Sequence, residues 1–335
     1  MRLRLATFNL ENLDDRPGLE PALSTRIAVL RPQLQRLDAD ILCLQEVHGQ
    51  RVRGKGPRRL AALDRLLEGT AYAGWHRVSS TSTGNHGDEA WVADLHNLVL
   101  LSRLPILASR ELRGELVAAP SYRLATASPP VLEPRPCTWD RPVLHATIAL
   151  PDGRRLEVVN LHLRAPTAAA VAGQKAGPFC WRSTQGWAEG YFLAGVKRTA
   201  QALEARLLVD QLLDADPEAL IAVAGDCNAE ERETPLRILM AETADTGNGA
   251  LAVRSLVPLE RSLPRDRRFT AIHKGRAVML DHILVSRHLL ACFRALEIHA
   301  ETLSDEVDPE LRVERATESY HAPVVAAFTL RQKPP

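Results

Sequence analysis

The chain is expected to fold as an α/β protein, a layered sandwich of helices packed on mixed β-sheets. Three observations predict it. Strand-like apolar runs recur from one terminus to the other, amphipathic stretches lead directly into two of them, and a Pro-Asp-Gly turn joins two more as a hairpin.

The runs read RLRLATFNL, ADILCLQEV, NLVLLS, LHATIAL, RLEVVNLHL, ALIAVAGD, MLDHILVS, FRALEIHA and PVVAAFTL. Several are continuously apolar, as strands covered on both faces are, and others alternate. Pro151-Asp152-Gly153 supplies a turn in which Gly tolerates positive φ, so residues 143–162 read as an antiparallel hairpin. An amphipathic run from Pro21 to Leu37 leads into ADILCLQEV, and a shorter one lies near Arg58 to Leu67. After Trp187, the residues Leu193, Val196, Ala200, Leu203 and Leu207 step by three and four. That spacing predicts a helix from about Gly190 to Asp214, ending before Asp216-Pro217 and feeding the AVAGD strand. The Pro-rich stretch Ala118 to Pro142 and the Gly/Ala-rich stretch Arg164 to Gly186 lack periodicity. The second begins two residues after His162 and is expected to be a substrate-facing loop.

A length of 335 residues allows two domains, but the distribution of polar motifs argues for one spanning 1–335. If motifs near both termini serve one site, the first and last strands must lie side by side. Hydrophobic residues make up 45% and charged residues 25%, the composition of a globular protein with a sizeable core. The net charge of +1 gives no whole-molecule field, so an anionic substrate must be drawn by local patches. Two patches exist: Arg51, Arg53, Lys55, Arg58 and Arg59 downstream of Glu46, and Arg261, Arg265, Arg267 and Arg268 before the Asp281 strand. Five widely spaced cysteines show no metal-binding spacing and argue against a disulfide framework. The N-terminal MRLRLATFNL enters a strand pattern at once, which speaks against a signal peptide, and no apolar run approaches the ~18 residues of a membrane span. A cytoplasmic location without a membrane span is expected, and no obligate protein partner is implied.

Six short polar motifs punctuate the apolar runs: TFNLEN (Asn9), LCLQEV (Glu46), VVNLHL (His162), AVAGDCN (Asp226, Asn228), LDHILVS (Asp281, His282) and SYHAPV (His321). Each places a carboxylate, amide or imidazole where a buried strand is expected to run out, the usual position of sites in α/β sheets. Together they describe metal-assisted phosphoester hydrolysis. That chemistry needs an activated water, charge stabilisation around the phosphoryl group and help for the leaving oxygen. Asp226 can accept the proton from water, and Asn228, on the same side of an extended segment, can donate its amide to a phosphoryl oxygen or orient the water. Glu46 is a hard oxygen ligand suited to Mg²⁺, and Asn9 can add a neutral oxygen to the same shell. His162 and His321 supply imidazoles for the leaving-group side and the phosphate, with Asp281 a candidate to fix the tautomer of His321.

In this order, these motifs resemble the endonuclease/exonuclease/phosphatase superfamily over nearly the whole chain, from TFNLEN to YHAPV. HNLVLLSRLPI is similar to the family's strand ending in Ser-Arg and a proline, and RFTAIHKGRAVMLDHILVS looks like the variant of bacterial nuclease-like members. The resemblance implies a four-layered α/β sandwich, two mixed sheets face to face with helices outside, and a divalent metal, usually Mg²⁺ and sometimes Mn²⁺ or Ca²⁺. By position, Glu46 resembles the metal-binding glutamate and Asn9 the asparagine beside it. Asp226 resembles the water-activating aspartate, Asn228 the transition-state asparagine, and His162 the leaving-group histidine. Asp281 and His321 resemble the pair that contacts the scissile phosphate. One departure stands out. The last family motif normally reads Ser-Asp-His, whereas this chain has Ser319-Tyr320-His321, removing a carboxylate expected near the metal; Glu318 is a candidate substitute.

The expected function is a Mg²⁺-dependent phosphodiesterase acting on nucleic acid, whose backbone the basic loops would track. Two alternatives remain at this level: a phosphatase or phospholipid or phosphoinositide phosphoesterase with the same chemistry, and a binding protein weakened in catalysis by Tyr320.

Overall fold

Two six-stranded mixed sheets, each centred on one parallel pair, face each other across the main core. The computed structural model describes residues 1–51, 56–82, 91–307 and 317–330. In chain order the principal elements are β1 (Arg2–Leu13), α1 (Leu23–Leu37), β2 (Ile41–Val47), α2 (Ala61–Leu67), β3 (His76–Ser79), β4 (Asn97–Ser102), β5 (Ile106–Leu112), β6 (Val143–Ala149) and β7 (Arg155–His162). There follow α3 (Thr184–Ala215), β8 (Leu220–Asp226), α4 (Thr234–Met240), β9 (Val257–Pro258), β10 (Asp281–Val285), β11 (Phe293–Ile298) and β12 (Val324–Thr329). The first sheet runs β11-β12-β1-β2-β4-β3 and the second β9-β10-β8-β7-β6-β5.

Parallel neighbours need a crossover, and each sheet has one: α1 carries the chain from β1 to β2, and α3 from β7 to β8. Every other pairing in the two sheets is antiparallel, including the expected hairpin β6–β7. The first and last strands pair directly, from Arg2 opposite Thr329 to Thr7 opposite Val324, as a site shared by both termini requires.

Side-chain alternation then sorts the layers. Leu3 and Leu5 of β1 face inward with Ile41, Cys43, Val158, Ala222 and Ile283, whereas Ala6, Phe8 and Leu10 pack under α1 and α2. On the other side Val159, Leu161, Ile221 and Val223 pack under α3 and α4. The result is the four-layered sandwich. Helix α1 has no side-chain N-cap and no acidic residue in its first turn. Its fully buried Leu30, Leu34 and Leu37, at about 1.5–3 kcal/mol each, hold it instead.

The same alternation builds the site. Along the inward face of β1 the residues run Leu3, Leu5, Thr7, Asn9; along β7, Leu156, Val158, Asn160, His162; along β8, Leu220, Ala222, Ala224, Asp226. Each grades from apolar to polar toward the carboxyl end. Antiparallel β10 begins rather than ends there, with Asp281 opposite Asp226. Asn9 itself lies inside a long strand rather than at its end. Between core and site, Gln45 Nε2 donates to Thr7 Oγ1 at 3.1 Å and Asn160 Oδ1 at 2.7 Å, and Asn160 Nδ2 donates to the carbonyls of Leu44 and Val99. This closed network satisfies the buried amides and pins the two sheets at one level.

Two departures from expectation matter for the site. Helix α3 begins at Thr184, six residues before the expected start, because Ser183 Oγ caps it by accepting from Gly186 N–H at 3.1 Å. The aperiodic stretches are not loose loops. Ser121–Tyr122 pairs with Arg135–Pro136, and Lys175–Gly177 with Cys180–Trp181. Both stretches pack on the first half of α3 through Ala127, Cys137, Ala169, Val171 and Leu193, forming a small lobe.

Gly225, one residue before Asp226, adopts φ +144°, and a Cβ there would lie 2.0 Å from the Leu161 carbonyl oxygen of the adjacent parallel strand. Gly225→Ala is expected to destabilise the protein by about 3 kcal/mol or more. A denaturation midpoint equal to that of the wild type would contradict this reading of the β7–β8 approach.

Candidate active site

The carboxyl ends of the two parallel pairs meet across the gap between the sheets, bringing Asn9 and Glu46 from one against His162 and Asp226 from the other. Asp226 is the hub. Its Oδ2 accepts from Asn9 Nδ2 at 3.0 Å and Asn228 Nδ2 at 3.0 Å and lies 3.3 Å from His162 Nε2, while Oδ1 accepts the Asn228 backbone N–H at 2.8 Å. The Asn228 amide also donates to the Leu163 carbonyl at 3.1 Å, and its left-handed φ of 48° turns it back over Asp226. Across the site, His321 Nδ1 lies 2.8 Å from Asp281 Oδ2. Ser319 fixes that segment by donating to the Asn9 carbonyl at 2.7 Å and accepting His321 N–H at 3.0 Å.

Simple alternation places Glu46 on the face opposite Gln45, away from the site. The strand avoids this by a register shift between Leu44 and Val47 and by a left-handed Glu46, φ 57°. Its carboxylate therefore reaches the gap, with Oε1 at 3.4 Å from Asn9 Nδ2 and 3.5 Å from His162 Nε2, and Oε2 accepting Asn12 N–H at 3.0 Å. Such a conformation in a non-glycine residue costs on the order of 1 kcal/mol and clusters at functional sites. Glu11 and Asn12 share it, at φ 48° and 53°, where the chain turns over Glu46.

The electrostatics separate the two imidazoles. Burial, then the Arg141 charge, holds His162 well below its ordinary value, so it is neutral. Burial acts against a charged His321 too, but the Asp281 and Asp226 carboxylates outweigh it and keep that imidazole cationic. Asp226 is pushed up to about 7 by burial, with Asp281 and Glu46 adding to the rise and His321 and the Asn228 hydrogen bond opposing it. Glu11 likewise rises to about 7, through burial and the neighbouring Glu46.

Asn9, Glu46, His162, Asp226, Asn228, Asp281 and His321 are thus gathered in one place, whereas His282 and Glu318 are not. Others were missed. His96 joins Glu46 and His162 in a group whose ligand atoms lie within 4.8 Å of one another, as do those of Asp226, Asp281 and His321. His96 stacks on His162 at 5.9 Å and on His48 at 5.3 Å, and Arg141 Nη2 hydrogen-bonds its Nδ1. The near-parallel rings of His96 and His162, 16° apart, are poorly disposed to aim two in-plane lone pairs at one ion. Glu11 was legible: it lies two residues beyond Asn9 in TFNLEN. His282, by contrast, is structural, buried between Glu260 Oε1 at 2.5 Å and the Ala229 carbonyl at 2.8 Å.

The donor set fits a hard divalent cation. Four carboxylates, Glu11, Glu46, Asp226 and Asp281, gather around the single imidazolium of His321, with Arg141 nearby. Buried Asp281 Oδ1 finds no hydrogen-bond partner among the described residues. Asn9 Oδ1 accepts from Glu11 N–H at 2.9 Å, so its donor face looks to the carboxylates, and offering oxygen to a cation requires the amide to turn. Glu318 does not take the place vacated at Tyr320. Its carboxylate accepts from Gln33 Nε2 at 3.0 Å and Thr302 Oγ1 at 3.2 Å, whereas Glu11 is the carboxylate that interacts with both Glu46 and His321.

The basic loops are partly neutralised. Arg58 pairs with Asp94 at 2.9 Å and Arg261 with Glu231 at 2.6 Å; Arg53 and Lys55 lie outside the described residues. Among the described residues, no helix is long and apolar enough to cross a membrane.

Residues 6–305 match the model of the Endonuclease/Exonuclease/phosphatase family. Comparison with curated proteins gives no match. Solved structures share the fold at low identity. A truncated Caenorhabditis elegans TDP2 is 14% identical, with 98% of each chain covered and a TM-score of 0.55. The 3' phosphatase NExo from Neisseria, bound to a product DNA hairpin, is 17% identical over 98% of this chain and 100% of that one, with a TM-score of 0.52. An AP endonuclease from Archaeoglobus fulgidus is 17% identical with the same coverage and a TM-score of 0.51.

Proposed function

Because the chain belongs to the endonuclease/exonuclease/phosphatase family, we propose that it is a Mg²⁺-dependent phosphodiesterase that hydrolyses nucleic acid, its whole length forming one catalytic unit. The observation that carries this reading is the arrangement around Asp226: two amide donors and the His162 imidazole around one oxygen, with the Asp281–His321 pair facing it. A base held this firmly keeps one lone pair aimed at an incoming water.

When bound, the divalent ion supplies charge neutralisation at the phosphoryl group and eases loss of a proton from water. Glu46 would hold it, with Glu11 adding charge and Asn9 able to offer its amide oxygen once turned. Asp226 takes the proton from the attacking water, and Asn228 and Asn9 fix its orientation. His321, cationic through Asp281, binds a phosphoryl oxygen and stabilises the charge that grows there. His162, neutral and buried, is assigned to the leaving-group side, a role that requires its ring to part from the Asp226 and Glu46 carboxylates it now meets at 3.3 and 3.5 Å. In-line attack then breaks the P–O bond to the leaving oxygen as the bond to water oxygen forms.

Nucleic acid as substrate is supported by exposed arginines that follow Glu46 in the chain, such as Arg51 and Arg59, and by DNA in the structurally similar NExo complex. Purified protein is expected to nick supercoiled plasmid in Mg²⁺, and to stop in EDTA. Absence of nicking, with turnover of a monoester in a panel of model esters, would replace this reading by a phosphatase.

A further inference from the structure

We propose that the exposed aromatic face at the start of α3, flanked by the basic hairpin before it, is a stacking platform for a single-stranded nucleic-acid segment leading away from the active site. The inference rests on the nucleic-acid reading above. Of the chain's six Phe, five Trp and four Tyr, two Phe, two Trp and one Tyr fall within residues 179–192. Their exposure is unusual: Phe179 is 100% exposed, Trp187 and Tyr191 47% each, and Phe192 52%. Single exposed rings need no explanation, but a cluster beside a catalytic site does.

Helical geometry connects this cluster to the chemistry. Trp187 and Tyr191, four residues apart, stack at 5.4 Å with ring planes 25° apart. Ala194 and Arg198, each about 20° round the helix from Trp187, are buried, so the exposed rings end nearly two turns before Arg198, with half-buried Gly195 to one side. At Gly195 nothing lies within 4 Å of a Cβ position, so that side is open. Arg198 donates to the carbonyl of Asn228 and so stands at the active site. At 1.5 Å per residue, Tyr191 is about 10 Å and Trp187 about 16 Å along the helix from Arg198. That is roughly three to five stacked nucleotides at 3.4 Å each.

The charge fits a phosphate backbone. From Arg164 to Arg198 there are five cations and one acid, Glu189. Glu189 is buried, and its carboxylate accepts from Tyr122 Oη, the Ala125 and Thr126 N–H groups and Thr126 Oγ1. Arg164 and Lys197 share Asp140. Lys175 and Arg182 stand beside the rings, Lys175 Nζ 5.3 Å from the Trp181 ring and Arg182 exposed. Open ring faces with flanking cations suit unpaired bases, whereas a duplex keeps its bases stacked on one another.

Trp187 makes the test direct. The full chain in EDTA is titrated with an oligothymidylate of about ten nucleotides, with a duplex of equal length, and with anionic phospholipid vesicles. Expected are quenching of tryptophan fluorescence by the single strand and weaker binding of duplex and vesicles. By anisotropy, Trp187→Ala/Tyr191→Ala should lose about tenfold or more in affinity. Trp187→Phe should keep the affinity and lose much of the quenching. Both positions are half exposed, and circular dichroism checks that the variants are folded. Unchanged affinity in the double variant, or preference for duplex or vesicles, overturns the platform. If plasmid nicking persists alongside that result, the nuclease reading stands without it; if neither nicking nor binding occurs, both fall.

Discussion

Replacing Asp226 by Asn is expected to lower kcat by roughly 10²–10⁴, the contribution of a positioned general base. The substitution keeps size and shape but removes the proton acceptor. It also places an NH₂ group among donors, since Asp226 already receives the Asn9 and Asn228 amides on one oxygen and the Asn228 N–H on the other. The pH profile provides an independent check. The carboxyl, pushed up to about 7 by burial, must be ionised to act, so activity should be present above that value and fall as pH drops through it. A bound cation favours the ionised form and should move this limb to lower pH. Residual activity of the Asn variant should lack the limb. A wild-type rate constant in Asp226→Asn, or the same acidic limb in both proteins, would assign the base to another residue.

Much of this arrangement was readable in the sequence because it follows from two periodicities. The residues Leu3, Leu5, Thr7, Asn9 and Leu156, Val158, Asn160, His162 alternate as strands must, and their polar ends mark the depth at which the core stops. The βαβ crossovers follow from helices feeding strands, and they place two polar strand ends at the same edge. What was hidden depends on local backbone conformation or on tertiary contact. Glu46 reaches the site only through a left-handed φ that alternation does not encode. His96 enters through a loop that folds His48, His96 and His162 into a stack, and no spacing in the sequence announces that. The lobe built from residues 118–142 and 164–186 escapes periodicity because its strands are two or three residues long and its core is small. The early start of α3 was obscured by Gly186 and Gly190, poor helix formers retained where they approach Gln174 and Trp181 closely.

With Tyr320 where the family resemblance places an aspartate, the proposed cation site rests on Glu46 and Glu11, and its charges can be weighed one at a time. Glu46→Gln removes a full charge from the centre of the cation site. Two unit charges 4 Å apart interact by about 4 kcal/mol at an effective dielectric of 20, and a divalent ion doubles that before solvent screening reduces it. A loss of roughly 2–4 kcal/mol, about 30- to 1,000-fold in Mn²⁺ affinity measured by electron paramagnetic resonance, is the expected result. Glu11→Gln should weaken Mn²⁺ by a smaller factor, on the order of tenfold, because its carboxylate adds to the field without being central to the site. Glu318→Gln is the control. That side chain is engaged by Gln33 and Thr302, and its loss should leave Mn²⁺ affinity unchanged. Were Glu318→Gln to weaken the ion as much as Glu46→Gln, the segment before His321 would have to turn its carboxylate inward on metal binding, and Glu11 would lose its assigned place. The converse substitution, Tyr320→Asp, tests the same balance from the other side. If Glu11 already supplies the missing charge, adding a fifth carboxylate should raise Mn²⁺ affinity little and push the Asp226 carboxyl further up, moving the acidic limb of the activity profile to higher pH.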